Sequence, residues 1–140
     1  MAFVYPTTPY SRRHGPLGYT DYKVFKPWLR DEFSFYCVFC LVRERWYPNG
    51  QAAFSVDHLM PRSQAPQREC DYENLVYACL RCNSWKRDQW PVLDPCLSAF
   101  GEHLRIQDDG TIEALTTEGE RLIAILALDY PPLLMSGHIC

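Results

Sequence analysis

The sequence lacks any apolar run approaching the ~20 residues that a membrane span requires. Its start, Met1 to Tyr10, carries neither a basic head nor the apolar stretch of an export signal. Those two absences lead us to expect a soluble, cytoplasmic protein with no membrane partner. Positive charge is also scarce: the formal net charge is -3, so bulk electrostatics cannot hold nucleic acid. Any such contact must come from a local basic patch, bound cations or a partner. There is no internal repeat and no low-complexity segment, which argues against a repeat architecture.

What the chain does have is 47% hydrophobic and 14% aromatic residues in 140 positions, enough to bury one core. A single domain is therefore expected. Cysteine is plentiful, but the count of 7 is odd and four of them form two CxxC pairs. In a reducing compartment that pattern favours metal over disulfides. Cys70, Cys96 and Cys140 have no paired spacing and are expected to be free or simply buried thiols.

Residues 1–20, with Pro6, Pro9, Pro16, Gly15 and Gly18 among tyrosines, predict an extended arm carrying a short basic cluster, Arg12, Arg13 and His14. Tyr22, Phe25, Leu29 and Phe33 recur at three-to-four-residue spacing and predict an amphipathic helix, with Pro27 at its first turn or at a kink. A β-like run Phe54-Ser55-Val56 ends at Asp57-His58, and residues 61–73 read as loop. Leu75-Val76-Tyr77-Ala78 leads into the second cysteine pair, followed by a short helix from Asn83 to Gln89 that Pro91 stops. Beyond His103 come a strand, a turn at Asp108-Asp109-Gly110, a second strand, and a helix from about Thr117 to Leu128. Thr117 to Glu120 fits a capping box at its start. The resulting division is an arm over 1–20, a core over 21–95 and a packing extension over 96–140.

Cys37, Cys40, Cys79 and Cys82 suit one tetrahedral zinc, because a two-residue spacer lets both thiolates of a knuckle face one metal. The metal would close the long loop between Cys40 and Cys79. For the cysteine pairs alone, two readings stand side by side: a zinc that only stabilises a binding module, or one that pins a catalytic element.

Three separately placed elements then agree in order: Cys37-x-x-Cys40, Val56-Asp57-His58-x-x-Pro61-x-Ser63, and Asn74-Leu75-Val76-x-x-Cys79-x-x-Cys82-Asn83-x-x-Lys86. Together they resemble the HNH endonuclease family over residues 37 to 86. The resemblance implies a compact α+β fold with a zinc-pinned, treble-clef-like ββα-metal core, an N-terminal helix, and a C-terminal hairpin plus helix. It also implies that His58 is the general base, that Asn74 braces its loop and orients it, and that Asp57 and Asn83 hold the catalytic cation. Phosphodiester hydrolysis suits such a set, since it needs an activated water and a cation to stabilise phosphate charge. Where the family often has a second histidine, this chain has Asn83. An amide oxygen is a harder ligand, so Mg²⁺ or Mn²⁺ is expected beside the structural Zn²⁺.

Neighbouring residues on a strand point in opposite directions, so an irregular backbone is expected at Asp57-His58. Asn74 and Asn83 also suit helix caps. Arg62, Arg81, Lys86 and Arg87 are candidate phosphate contacts or plain solvated charges. The Arg43-Glu44-Arg45-Trp46 run could extend that rim, and Trp85 and Trp90 fit core or lid packing better than base stacking. The expected activity is metal-dependent cleavage of DNA, double-stranded by preference. One site nicks, and a multimer cuts both strands. The acidic charge favours an effector subunit of a restriction, phage-defence or mobile-element system, acting as a homodimer or with a regulatory protein. The alternative is a non-catalytic zinc-binding module that recognises nucleic acid or protein.

Overall fold

The computed structural model describes residues 4–129, so Cys140, the first three residues of the arm and the end of the C-terminal extension lie outside the described residues. The chain is mixed α and β, with three α-helices and two small antiparallel sheets among the described residues. None of the described helices is long and apolar enough to cross a membrane. The fold divides into two compact units, one over residues 12–91 and one formed by residues up to 11 together with those from 92 onward.

The first unit begins with Arg13 and His14, whose backbone amides donate to the buried Glu32 carboxylate at 2.7 and 3.0 Å. A 3-10 turn, Tyr22–Phe25, then runs into helix α1, Lys26–Glu32. Pro27 sits in the first turn of α1, where its missing N–H costs nothing, so there is no kink. Phe25, Leu29 and Phe33 are fully buried, as their spacing predicts. Strand β1, Phe54–His58, pairs antiparallel with β2, Leu75–Cys79. Phe54 and Tyr77 are diagonal neighbours across this ladder and stack at 5.0 Å, which ties the register to the core.

Helix α2, Leu80–Lys86, starts earlier than the polar run suggests. Its N-cap is Cys79, whose sulfur accepts from the Cys82 amide. The helix therefore begins inside the second cysteine pair. It also stops before Pro91, ending at Arg87 with φ 51°, ψ -129°. The expected irregularity at Asp57-His58 is absent: the ladder runs unbroken through Asp57 opposite Val76 and His58 opposite Leu75. The chain bends only after His58, at Leu59 and Met60.

The second unit holds β3, Leu104–Ile106, antiparallel to β4, Ile112–Ala114, and helix α3, Thr117–Leu126. The cap of α3 is Thr116, not Thr117, with its hydroxyl accepting from Gly119 N at 3.0 Å. The place a capping box gives to Glu or Gln is thus occupied by Gly119. The reason is room: a Cβ at Gly119 would collide with the backbone carbonyl oxygen of His103. In an open helix, glycine to alanine stabilises by about 1 kcal/mol. Here Gly119→Ala is expected to destabilise instead, by about 1–3 kcal/mol, and a denaturant melt reads the sign directly.

Candidate active site

The first cysteine knuckle is fastened to the sheet. Val38 N donates to Tyr77 O at 3.1 Å, and the knuckle closes on itself through Leu41 N to Cys37 O and Cys37 N to Val42 O, each 2.9 Å. The second knuckle is the junction of β2 and α2. As a result the sulfurs of Cys37, Cys40, Cys79 and Cys82 all lie within 4.8 Å of one another. Cys40 and Cys79 sulfurs are 3.7 Å apart, too far for an S–S bond of ~2.05 Å. That spacing suits a tetrahedron with Zn–S bonds of ~2.3 Å, whose edge is about 3.8 Å. Amides of Cys40 and Cys82 point at the sulfurs of Cys37 and Cys79, at 3.5 and 3.4 Å. Burial opposes charge on Cys37, yet hydrogen bonds from the other three thiols hold it well below the usual thiol range. Thiol neighbours push Cys40 and Cys82 well above it. Such a cluster gains a common stabiliser in a divalent cation, and four sulfur donors suit zinc.

Beyond the cysteines, β1 delivers Ser55 and Asp57 to the side covered by α2. Asn83 Nδ2 donates to Ser55 Oγ at 2.7 Å, which commits the amide nitrogen to β1 and leaves the amide oxygen as the donor atom that a cation could meet. Asn83 is therefore mid-helix and is not a cap. Lys86, one turn on, has a fully buried side chain. Its ammonium donates to His58 O at 2.6 Å and lies 3.5 Å from Asp57 Oδ1. This corrects the reading of Lys86 as a phosphate contact: its charge is enclosed and holds β1 to α2. The other oxygen of Asp57, Oδ2, is buried with no hydrogen-bond partner. Burial pushes the Asp57 carboxyl up to about 7 against the pull of Lys86.

His58 takes the opposite face of β1. Its Nε2 lies 2.9 Å from the carbonyl oxygen of Glu69, which fixes the ring and its tautomer with Nε2 as donor. Burial lowers the imidazole below its ordinary value, so the ring is neutral near pH 7. No hydrogen bond joins Asn74 to His58. Asn74 grips the bend just beyond, accepting from Met60 N at 2.9 Å and donating to Met60 O at 3.0 Å, while its own carbonyl accepts from Leu59 N. A 3-10 turn over Tyr72–Asn74, capped by Asp71, places it there. Asn74 is thus a loop brace and is not a cap.

Asp57, His58 and Asn83 meet on a cavity of about 600 Å³, which Tyr22, Arg62, Glu69, Arg87 and Asp88 also line. Arg81, on the first turn of α2, does not line it. Residues 37–89 match the family model described as HNH endonuclease. This segment is an HNH endonuclease family domain. Comparison with curated proteins gave no match.

Within the HNH domain the remaining surface expectations change. Glu44 is buried and accepts two hydrogen bonds from Arg30 Nε and Nη2, each 2.8 Å, together with the Tyr77 hydroxyl. It therefore joins α1 to β2 and does not extend a phosphate rim. Trp85 is 44% exposed, which removes the core placement from the core-or-lid expectation. Tyr22, Glu69 and Asp88 line the cavity and escaped sequence reasoning. Tyr22 had the spacing of a core position, and the contact of Glu69 with His58 is made by its backbone carbonyl, for which no side-chain signal exists.

Proposed function

We infer that the chain hydrolyses DNA phosphodiester bonds, with His58 as general base and with Asp57 and Asn83 holding a Mg²⁺ or Mn²⁺ ion. The observation that carries this reading is the buried, unpartnered Oδ2 of Asp57, a residue that lines the same cavity as a neutral, fixed imidazole. A buried carboxylate oxygen without a partner is costly unless something positive meets it. Asn83 adds a neutral oxygen, so the donor set is hard. When bound, such a cation supplies charge stabilisation at the phosphate and the leaving oxygen.

The rest of the chemistry belongs to the chain. His58, with Nε2 committed to Glu69 O, presents Nδ1 as the acceptor for a proton from water. Lys86 holds the strand end through His58 O, and Asn74 holds the loop that follows. Arg62 and Arg87 on the cavity wall meet the substrate phosphates, which a protein of net charge -3 needs as a local basic contact. One site per chain nicks one strand, so cutting duplex DNA through both strands takes a homodimer or a partner protein. The acidic charge suits an effector subunit of a restriction, phage-defence or mobile-element system inside the cell.

The test is incubation of the purified protein with supercoiled plasmid, single-stranded DNA and RNA, with Mg²⁺, Mn²⁺ or chelator. Nicking of the plasmid that chelator abolishes supports the reading. No cleavage under any of these cations sinks it in favour of the zinc-binding module.

Metal choice follows from Asn83. Wild type is expected to work with Mg²⁺ or Mn²⁺ and poorly with added Zn²⁺. Asn83→His shifts preference toward Ni²⁺, Co²⁺ or Zn²⁺, and Asn83→Ala raises the Mg²⁺ concentration needed for half-maximal rate. Rate against metal concentration decides it, and identical profiles for all three proteins would remove Asn83 from the ligand set.

A further inference from the structure

Tyr22 lies upstream of the HNH domain, yet it lines the same cavity. Its place follows from the 3-10 turn it opens. Residues three apart in such a turn eclipse one another, and Phe25, three residues on, is fully buried with its ring 5.8 Å from Tyr72. Phe25 is an anchor, and it determines where Tyr22 sits. From there the Tyr22 ring meets the His58 ring edge-to-face, with centroids 4.6 Å apart and planes at 72°. The same tyrosine carries the Arg62 guanidinium 4.9 Å from its ring centroid. One aromatic side chain thus supports two groups of the candidate site, one at the end of β1 and one in the loop beyond it.

Both groups need that support. A single hydrogen bond to Glu69 O leaves the imidazole free to swing about the bond, and an edge-on aromatic contact removes that freedom. Arg62 is long and its side chain is 53% exposed, and its ion pair with Glu69 is 3.5 Å. Exposed pairs of that kind hold a side chain weakly. The aromatic face keeps the guanidinium at the cavity mouth when a phosphate displaces Glu69.

Building on the nuclease reading above, we propose that Tyr22 is a positioning residue which fixes the His58 imidazole for the attacking water and the Arg62 guanidinium for the substrate phosphate. The nuclease site is then not self-contained within residues 37–89, and the N-terminal segment completes it.

Steady-state plasmid nicking by wild type, Tyr22→Leu, Tyr22→Phe, Arg62→Ala and the Tyr22→Leu/Arg62→Ala double variant tests this, with melting curves for each. Leucine keeps apolar bulk so that the variant folds. Tyr22→Leu is expected to lower kcat on the order of tenfold or more and to raise KM as Arg62→Ala does. In the double variant KM rises no further, because the two residues act as a unit. Tyr22→Phe recovers most of both losses. A folded Tyr22→Leu with wild-type kcat and KM, or KM effects that simply multiply in the double variant, overturns the proposal.

Failure of the nuclease reading shows separately, as absence of cleavage by wild type. In that event the His58 imidazole resonances in NMR spectra decide the matter for Tyr22. Resonances that shift in Tyr22→Leu and return in Tyr22→Phe support the positioning role, and resonances unmoved in Tyr22→Leu overturn it.

Discussion

Cys79→Ser is expected to abolish zinc binding and unfold the unit spanning residues 12–91 at temperatures where wild type is folded. Cys79 has three roles at one position: it closes the β1–β2 ladder opposite Phe54, caps α2, and joins the four-sulfur cluster. Serine preserves two of them, since it can pair in a ladder through its backbone and is a good N-cap. What it removes is a thiolate ligand. Structural zinc contributes apparent free energies of about 10–16 kcal/mol in zinc-finger peptides, comparable to the whole stability of a typical domain, ~5–15 kcal/mol. Strands β1 and β2 are five residues each, and a two-stranded hairpin has little stability alone. A metal bound by the four sulfurs would therefore hold both ends of the loop that carries Asp57 and His58. Elemental analysis should give about one zinc per chain for wild type. Chelation should lower the melting temperature to that of Cys79→Ser, while Cys70→Ser, outside the cluster, keeps both zinc and melting point. A Cys79→Ser protein that retains zinc and melts like wild type would falsify the assignment.

How much of this was readable in the sequence depends on how local each signal is. The CxxC pairs were legible because two residues of spacing are enough to bring two sulfurs to one point. The strands Phe54–His58 and Leu75–Cys79 were legible from their aromatic and β-branched content, and the buried face of α1 from its period. Lys86 was misread because a charged residue is rarely buried without a partner, and its partners, Asp57 and His58 O, are set by the crossing of α2 over β1. Glu44 was misread for the same reason, its partners Arg30 and Tyr77 lying on other elements. Tyr22 looked like a core position because helical period specifies a face and cannot say whether that face meets core or cavity. The cap of α3 slipped by one residue because the packing of Gly119 against His103 outweighs the reciprocal hydrogen bonds of a capping box. In each case a long-range contact decided what a local rule left open.

His58→Ala is expected to remove most cleavage, on the order of a hundredfold to ten-thousandfold, while zinc content and melting temperature stay near those of wild type. The structure makes this a clean deletion. His58 lies on the face of β1 away from Asp57, and alanine keeps the ladder bond opposite Leu75. The backbone carbonyl that accepts from Lys86 is also retained. The imidazole leaves behind the Glu69 carbonyl and the Tyr22 ring, both at the cavity. Lys86→Met provides the contrast. It strips the buried ammonium from Asp57 and from His58 O, and breaking an enclosed ion pair costs about 3–5 kcal/mol, so activity and stability should fall together. Single-turnover nicking rates alongside thermal melts separate the two variants. A folded His58→Ala protein that cuts at the wild-type rate sinks His58 as the base. Loss of activity with an unchanged melt places the proton transfer on the imidazole, because nothing else that the substitution removes lies within reach of water in the cavity.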